Sequence, residues 1–487
     1  MSFEDELRDI FDEASIEGPV DGGSLPAVKA RARQRTVRTR VAVGSAALAL
    51  GVLGALAVGS SLLGSSVGEI DTVDAVTPLP GVEDSSTDES PIGEDSTTTT
   101  SDVSTVEVGD GEISAEDFTY VGSFRVPVSA GADVGAARFG FGGFASAVNA
   151  NGDPSNADAF PGSLFMTGFP GNAEVAEISI PEPLPHDGDP SGLPVAELLQ
   201  PFADVTNGRA STFVGSEDVG GIGEYRIGGL EVFDGPGGIR LHWTAWQSQD
   251  TGPHDNPGHG HSSLDLTNPD PQGPWFLGDF EGYETAGYVF SVPPEIANES
   301  FGGRQLISGF QPITPNAASV SQGPPLIAFS LPADAEPGSR IEDPLAVALY
   351  EEPNQIAGFR ENAVTPGASW ITTSDGRNGL ITVGNAEFIN VNDACGSNAP
   401  LDTFGPEANF YDPADLADAA SGAREPHEVA PYETWDLLEH LIPTCGATIA
   451  SISVDPAVGR AYVVQAWADQ SQGSVDRLPV VHVFDIS

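Results

Sequence analysis

Short runs of apolar or alternating residues recur throughout residues 116–487, and Gly, Pro, Asn or Asp bounds almost every one. The clearest runs are 118–126, 163–168, 175–180, 239–246, 287–292, 326–331, 379–383, 449–454, 460–465 and 480–486. Such runs are typical of buried or half-buried strands. The best helical periodicity is found at 413–420 and 432–441. The pattern therefore predicts an all-β domain.

One strand type repeats within this domain. An apolar strand, a small polar residue, an aliphatic residue and Pro follow one another at 175–181, 287–293 and 326–332, with looser copies at 262–267 and 481–486. A second type, at 163–168 and 460–465, has the character of inner strands after a tight turn.

This repetition is typical of a β-propeller, and about 370 residues at about 40 to 60 per blade favour six blades. We expect 480–486 to share a blade with 118–124 and so close the ring. A pair of β-sandwiches is the alternative fold, because the copies are unevenly spaced.

Two phrases near the C-terminus carry a resemblance. Asn409-Phe-Tyr-Asp-Pro-Ala-Asp-Leu416 and Ser453-Val-Asp-Pro-Ala-Val-Gly-Arg-Ala-Tyr-Val464, followed by Val-His-Val-Phe, are similar to the closing segments of uncharacterised bacterial secreted propeller-like proteins. The resemblance implies the fold and no activity.

The segment Val41–Leu63 carries no charged residue and, as a helix, would be about 35 Å long, enough to cross a bilayer. Seven of the 19 basic residues precede it, and none follows until Arg125. The positive-inside rule then predicts a cytoplasmic N-terminus and an extracytoplasmic domain after the span. A cleaved signal peptide, with Ala55-Leu56-Ala57 as its processing site, is the alternative, but the leader is long for one.

Residues 1–40 form the predicted cytoplasmic stub. Their acidic amphipathic start and Arg-rich end resemble the leaders of single-pass membrane proteins from high-GC bacteria, including membrane-bound anti-sigma factors. Residues 64–115 are rich in Ser, Thr, Asp and Glu and contain no basic or aromatic residue, which predicts a disordered linker. The domain at 116–487 follows it.

The chain has 71 acidic and 19 basic residues and a formal charge of −52. Phosphate backbones would be repelled, so the charge disfavours nucleic acid as a partner. The acids of the domain are dispersed rather than clustered, and a salt-rich habitat that screens their repulsion is the simplest explanation.

The sequence contains no nucleophile elbow, zinc-protease helix, P-loop or dinucleotide fingerprint, and we therefore assign no catalytic residue. Cys395 and Cys445 are the only cysteines. An even count, an extracytoplasmic position and the lack of C-x-x-C spacing predict a disulfide between them.

Two sets of residues are candidates for binding. Aromatic and polar side chains end two similar strands and, if both strands are innermost, converge on the mouth of the ring, where they bind a glycan or peptide: Trp243, Trp246, Gln247, Gln465, Trp467 and Asp469. The alternative is that the aromatic residues cap the blade core. The second set consists of candidate metal ligands. The imidazoles of His254, His259 and His261 are predicted to bind a transition metal, and the polar loop with Asn149, Asn151 and Asp153 to bind Ca²⁺. Exposed or backbone-bonded histidines and simple turn chemistry are the corresponding alternatives.

The domain order favours a membrane-tethered binding or sensing module for a cell-surface glycan or peptide. The alternative function is a propeller-type hydrolase or lyase of extracellular polysaccharide, with Ca²⁺ as its one candidate cofactor. The sequence leaves the ligand and the oligomeric state open.

Overall fold

The computed structural model divides the chain into two units, Met1–Thr100 and Ser101–Ser487. All residues that it describes belong to the second unit. They are 112–128, 139, 145–152, 160–168, 174–209, 225–247, 257–280, 282–309, 323–332, 335–350, 363–386, 405–444, 448–472 and 477–487. No helix within these ranges is long and apolar enough to span a membrane. The predicted stub, span and most of the linker, as well as Cys395 and Cys445, lie outside them.

The described strands form five sheets, each a blade of a β-propeller. Blade 1 consists of β2 (Ser146–Asn149), β3 (Ser163–Thr167), β4 (Glu174–Ser179) and β5 (Leu198–Asp204). Blade 2 consists of β6 (Tyr225–Gly235), β7 (Gly238–Gln247), β8 (His259–Ser262) and β9 (Gln272–Leu277). Blade 3 consists of β10 (Tyr288–Ser291), β11 (Leu306–Gly309), β12 (Leu326–Phe329) and β14 (Leu345–Ala348).

Blade 4 consists of β15 (Val364–Thr372), β16 (Asn378–Asn385), β17 (Pro406–Tyr411) and β18 (Glu433–Asp436). Blade 5 consists of β19 (Thr448–Asp455), β20 (Arg460–Asp469), β21 (Leu478–Ile486) and β1 (Phe118–Arg125). A further strand, β13 (Arg340–Ile341), leaves blade 3 and pairs in parallel with β9 of blade 2. The residues that the structure describes include three short helices beside the blades: α1 (Gly282–Thr285), α2 (Pro294–Ser300) and α3 (Pro413–Ser421).

The innermost strands of the blades are β2, β6, β10, β15 and β19, and each contacts the innermost strand of the blade on either side. Five hydrophobic clusters fill the spaces between neighbouring blades. Each blade is therefore covered on both faces, and the ring closes with five blades. The expectation of six is wrong, because dividing the domain by an average blade length counts the residues of the long connections as blade residues.

The ring is closed by the two ends of the domain, as the sequence predicts. β1 pairs antiparallel with β21, from Phe118 opposite Ile486 to Arg125 opposite Val480. Just before β1, the carboxylate of Asp117 accepts two hydrogen bonds from the guanidinium of Arg377 on blade 4, at 2.6 and 2.9 Å. Such paired, charge-assisted bonds fix orientation as well as position, so the N-terminal edge of the domain is held against two blades.

One of the two predicted helices forms. α3 begins at Pro413, where the Asp412 carboxylate accepts a hydrogen bond from Ala414 N at 2.8 Å, and it ends at Gly422 in the left-handed region. The helix expected at 432–441 is wrong: residues 433–436 form β18, and a short 3-10 turn follows. Pairing of β18 with β17 outweighs the weak helical periodicity.

Candidate functional site

A cleft of about 540 Å³ lies on blade 2 and is named here the blade 2 cleft. The β6–β7 hairpin forms one side, and the chain that crosses from blade 3 to β13 forms another. Its lining residues are Arg209, Gly235, Pro236, Gly237, Gly238, Arg240, His242, His261, Gln272, Trp275, Leu331, Pro332, Ala335, Glu336 and Pro337.

Strand alternation places the polar groups of this cleft on one face. Arg240 and His242 are two residues apart on β7, so their side chains leave the same side of the sheet. His261 on β8 is the register partner of His242, and their ring centroids are 5.0 Å apart. The opposite face of β7 carries Trp243, which packs in the hydrophobic cluster between blades 1 and 2.

Trp275 on β9 forms the apolar wall of the cleft. Its ring lies 5.5 Å from that of His261, and its Nε1 donates a hydrogen bond to the Ala335 carbonyl at 3.2 Å. The crossing segment that carries Ala335 is in turn anchored where Arg340 pairs with Phe276. The wall is thus fixed from both blades, which gives the cleft a preformed shape.

Three histidines of blade 2 are held neutral at pH 7. Burial is the largest cause for each: it lowers the pKa of His259 to about 3 and that of His261 to about 4. The pKa of His242 is also far below its ordinary value, through burial and then the nearby His261 and Arg240. A neutral imidazole carries one donor and one acceptor. His261 Nδ1 and His259 Nε2 are buried and have no hydrogen-bond partner within the described structure.

The rim of the cleft carries its charges. The guanidinium of Arg240 meets the carboxylate of Asp270 at 3.4 Å, and 59% of the Asp270 side chain is exposed. An exposed ion pair of this length contributes little to stability. Arg209 and Glu336 are the other charged residues of the lining, so the cleft and its rim hold two guanidinium groups and the carboxylates of Glu336 and Asp270.

Glu231 lies on β6 as the register partner of His242. Its Oε1 accepts hydrogen bonds from Ser291 N at 3.0 Å and from Ser291 Oγ at 2.5 Å. Burial between blades 2 and 3 raises the pKa of Glu231 to about 7, against the lowering effect of these bonds.

Replacing Glu231 by Gln is expected to change the pH dependence of stability. The pKa of this carboxyl group is 4.5 in the unfolded chain and about 7 in the folded chain. Between these pH values the folded state holds a proton that the unfolded state has lost, so the parent chain loses stability as the pH rises from about 4.5 through 7. The gain in unfolding free energy of E231Q over the parent should thus be larger at pH 8 than at pH 5, by about 2 kcal/mol after allowance for residual solvent contact. Urea titrations at both pH values measure it. The exposed Glu336→Gln serves as control, and an E231Q effect that is equal at both pH values contradicts the prediction.

The ligand-binding residues predicted from sequence all lie on β7 and β20, which are the second strands of their blades and not the innermost. The expected convergence on the mouth of the ring is therefore not formed by these two strands. Trp243 is buried and donates from Nε1 to Ser262 Oγ at 2.9 Å. Arg226 lies over the ring of Trp246 at 5.9 Å, and Gln247 ends β7.

The three residues predicted on β20 have structural partners. The buried amide of Gln465 accepts from Ile442 N at 3.0 Å and donates to Ile442 O at 2.9 Å. The buried carboxylate of Asp469 accepts from Ser471 N at 2.7 Å. Trp467 has a positive φ of 58° and packs against the cluster between blades 5 and 1. A binding role for this set stays a prediction without geometric support.

Only some residues of the predicted metal site lie in the part of the chain that the structure describes. His254 and Asp153 lie outside the described residues, and the described part contains no group of three His, Cys, Asp or Glu side chains arranged to hold a metal. Asn149 is buried; its Oδ1 accepts from Asn151 N at 3.3 Å, a turn contact, while Asn151 is exposed. His259 and His261 belong to β8, where His261 meets His242.

Sequence reasoning identified one member of the cleft, His261, and missed Arg240, His242 and Trp275. A signal was present: Arg240-Leu-His242 and His259-Gly-His261 are two alternating polar pairs, and the first interrupts a largely apolar run. Polar residues at the inward positions of a strand need partners and so mark a site or a network. Only the β7–β8 register shows that the two pairs share a face.

Neither a scan against protein-family models nor a search of the curated proteins finds a match to this chain.

Proposed function

We propose that this chain is a membrane-tethered binding module, which captures a small polar ligand in the blade 2 cleft outside the cell. The observation that carries the proposal is the cleft itself. Its volume of about 540 Å³ lies in the range of small-molecule sites, and a few polar groups converge above a fixed aromatic wall. Arg240, His261 and Gln272 are the groups that would orient the ligand.

The cleft favours binding over catalysis because its imidazoles and amide are suited to hydrogen bonding and no acid lies among them. Glu336 is on the exposed rim, and Glu231 is not part of the lining. Hydrolysis of a glycosidic bond in most families requires two carboxyl groups flanking the bond. The lining supplies one.

The cellular placement rests on the sequence. The uncharged run Val41–Leu63, the preceding basic cluster and the long acidic linker together support an anchor with the propeller outside.

Labelling of whole cells tests this placement. An epitope tag fused after Ser487 is expected to react with an impermeant reagent in intact cells, while a tag placed before Ser2 reacts only after lysis. A C-terminal tag that reacts only after lysis contradicts the proposed topology.

A further inference from the structure

We propose that the ligand of the blade 2 cleft is a sugar acid: a mono- or disaccharide whose carboxylate is held by Arg240 and whose hydroxyl groups are held by His261 and Gln272. This inference rests on the proposed binding function and names the ligand class.

The charge of the cleft is the first reason. Residues 116–487 contain 50 acidic residues, 12 Arg and no Lys, so most of the surface repels anions. The cleft is an exception, because Arg209 and Arg240 balance the carboxylates of Glu336 in the lining and of Asp270 beside Arg240. A carboxylated ligand is therefore repelled less here than over the acidic remainder of the surface.

The state of Arg240 is the second reason. Its contacts with Asp270 are long, at 3.4 Å to the carboxylate from Nη2 and at 3.4 Å to the carbonyl from Nη1. The planar guanidinium is suited to a paired hydrogen bond with a carboxylate. A ligand carboxylate with better geometry can therefore replace the weak contacts with Asp270 without leaving a buried charge unpaired.

The polar atoms beside Arg240 are the third reason. His261 Nδ1 is buried without a partner in the described structure, and the half-buried Gln272 lines the cleft beside it. A neutral imidazole and an amide each offer both a donor and an acceptor, which is what a hydroxyl group requires. A simple anion would leave this capacity unused, whereas the hydroxyl groups of a sugar acid satisfy it.

The wall is the fourth reason. Trp275 is only 2% exposed, so the accessible carbon atoms of the lining come mainly from Leu331, Pro332 and Pro337 of the crossing segment. Sugars offer C–H groups on one side of the ring, which suit such a surface, and hydroxyl groups at its edge. The cleft volume accommodates one or two such rings.

Calorimetric titration of the full chain in detergent micelles tests the inference. The probes are glucuronate and galacturonate, their neutral counterparts glucose and galactose, inorganic phosphate, and a soluble peptide library. We expect saturable binding of at least one sugar acid, and binding of its neutral counterpart that is weaker by about tenfold or more.

Three variants locate the binding. Arg240→Gln is expected to weaken sugar-acid binding about tenfold, and Arg240→Lys, which keeps the charge but not the planar fork, by a smaller factor. The matched control is Arg424→Gln, since Arg424 pairs with Asp415 of α3 on blade 4 and does not line the cleft. The thermal melting of each variant is measured first, and R240K serves if R240Q does not fold.

The outcomes separate the two proposals. Equal binding of the acid and its neutral counterpart, or a sugar-acid affinity that R240Q leaves unchanged, overturns the ligand class. Binding of phosphate or of a peptide alone, lost in R240Q, also overturns the class but supports the binding module. Binding of no probe at all overturns both.

Discussion

A chain that begins at Val126, and therefore lacks β1, is expected to lose its cooperative unfolding transition. β1 is the fourth strand of blade 5, and it carries Phe118 and Phe124 into the clusters on both sides of that blade. Its removal uncovers these clusters and leaves β21 as a long unpaired edge. The bidentate contact of Asp117 with Arg377 is lost as well. Near-UV circular dichroism and urea titration measure the loss.

The matched control is a chain that begins at Ser101. It keeps β1 and the contacts that precede it, and it removes only the unit Met1–Thr100. We expect a urea midpoint equal to that of the full chain. A Val126 chain with the same midpoint as the Ser101 chain would contradict the closure, since the strand would then contribute nothing to the ring.

Closure was predictable from sequence because it depends on two strongly alternating strands at the ends of the domain. Phe118 to Phe124 and Val480 to Ile486 both show the pattern, and the structure pairs them. Strand order within a blade was not predictable. The run at Arg460 to Gln465 is apolar because both faces of β20 are buried, and most strands in the middle of a blade share that property. Only contacts between blades distinguish an innermost strand from the second.

The blade 2 cleft illustrates the same limit. Sequence reasoning grouped His259 with His261 because they are close in the chain. The structure instead places His261 beside His242 through the β7–β8 register, and His259 beside Phe329 of blade 3. Local spacing identifies residues that share a strand face. Which residues of another strand meet them is decided by the register between the strands.

Replacing Gly228 by Ala is expected to destabilise the ring by about 3 kcal/mol or more, because an added methyl group would meet rigid backbone. Gly228 is on β6, the innermost strand of blade 2, and a Cβ built on it lies 1.9 Å from the carbonyl oxygen of Ala286 at the entry to blade 3. That carbonyl also accepts a hydrogen bond from Thr244 Oγ1 at 3.0 Å. The two blades would therefore have to separate, at a cost to the hydrophobic cluster between them.

Gly237 is the matched control for this substitution. It lies on the same blade, in the exposed β6–β7 hairpin, and a Cβ built on it meets nothing within 4 Å. Gly237→Ala should leave the free energy of unfolding unchanged or raise it by no more than about 1 kcal/mol, since it adds no clash and restricts the unfolded chain. Urea titration of both variants gives the comparison. Equal urea midpoints for the two variants would show that blades 2 and 3 can separate without loss of stability. The close approach of their inner strands would then contribute nothing to the closure of the five-bladed ring.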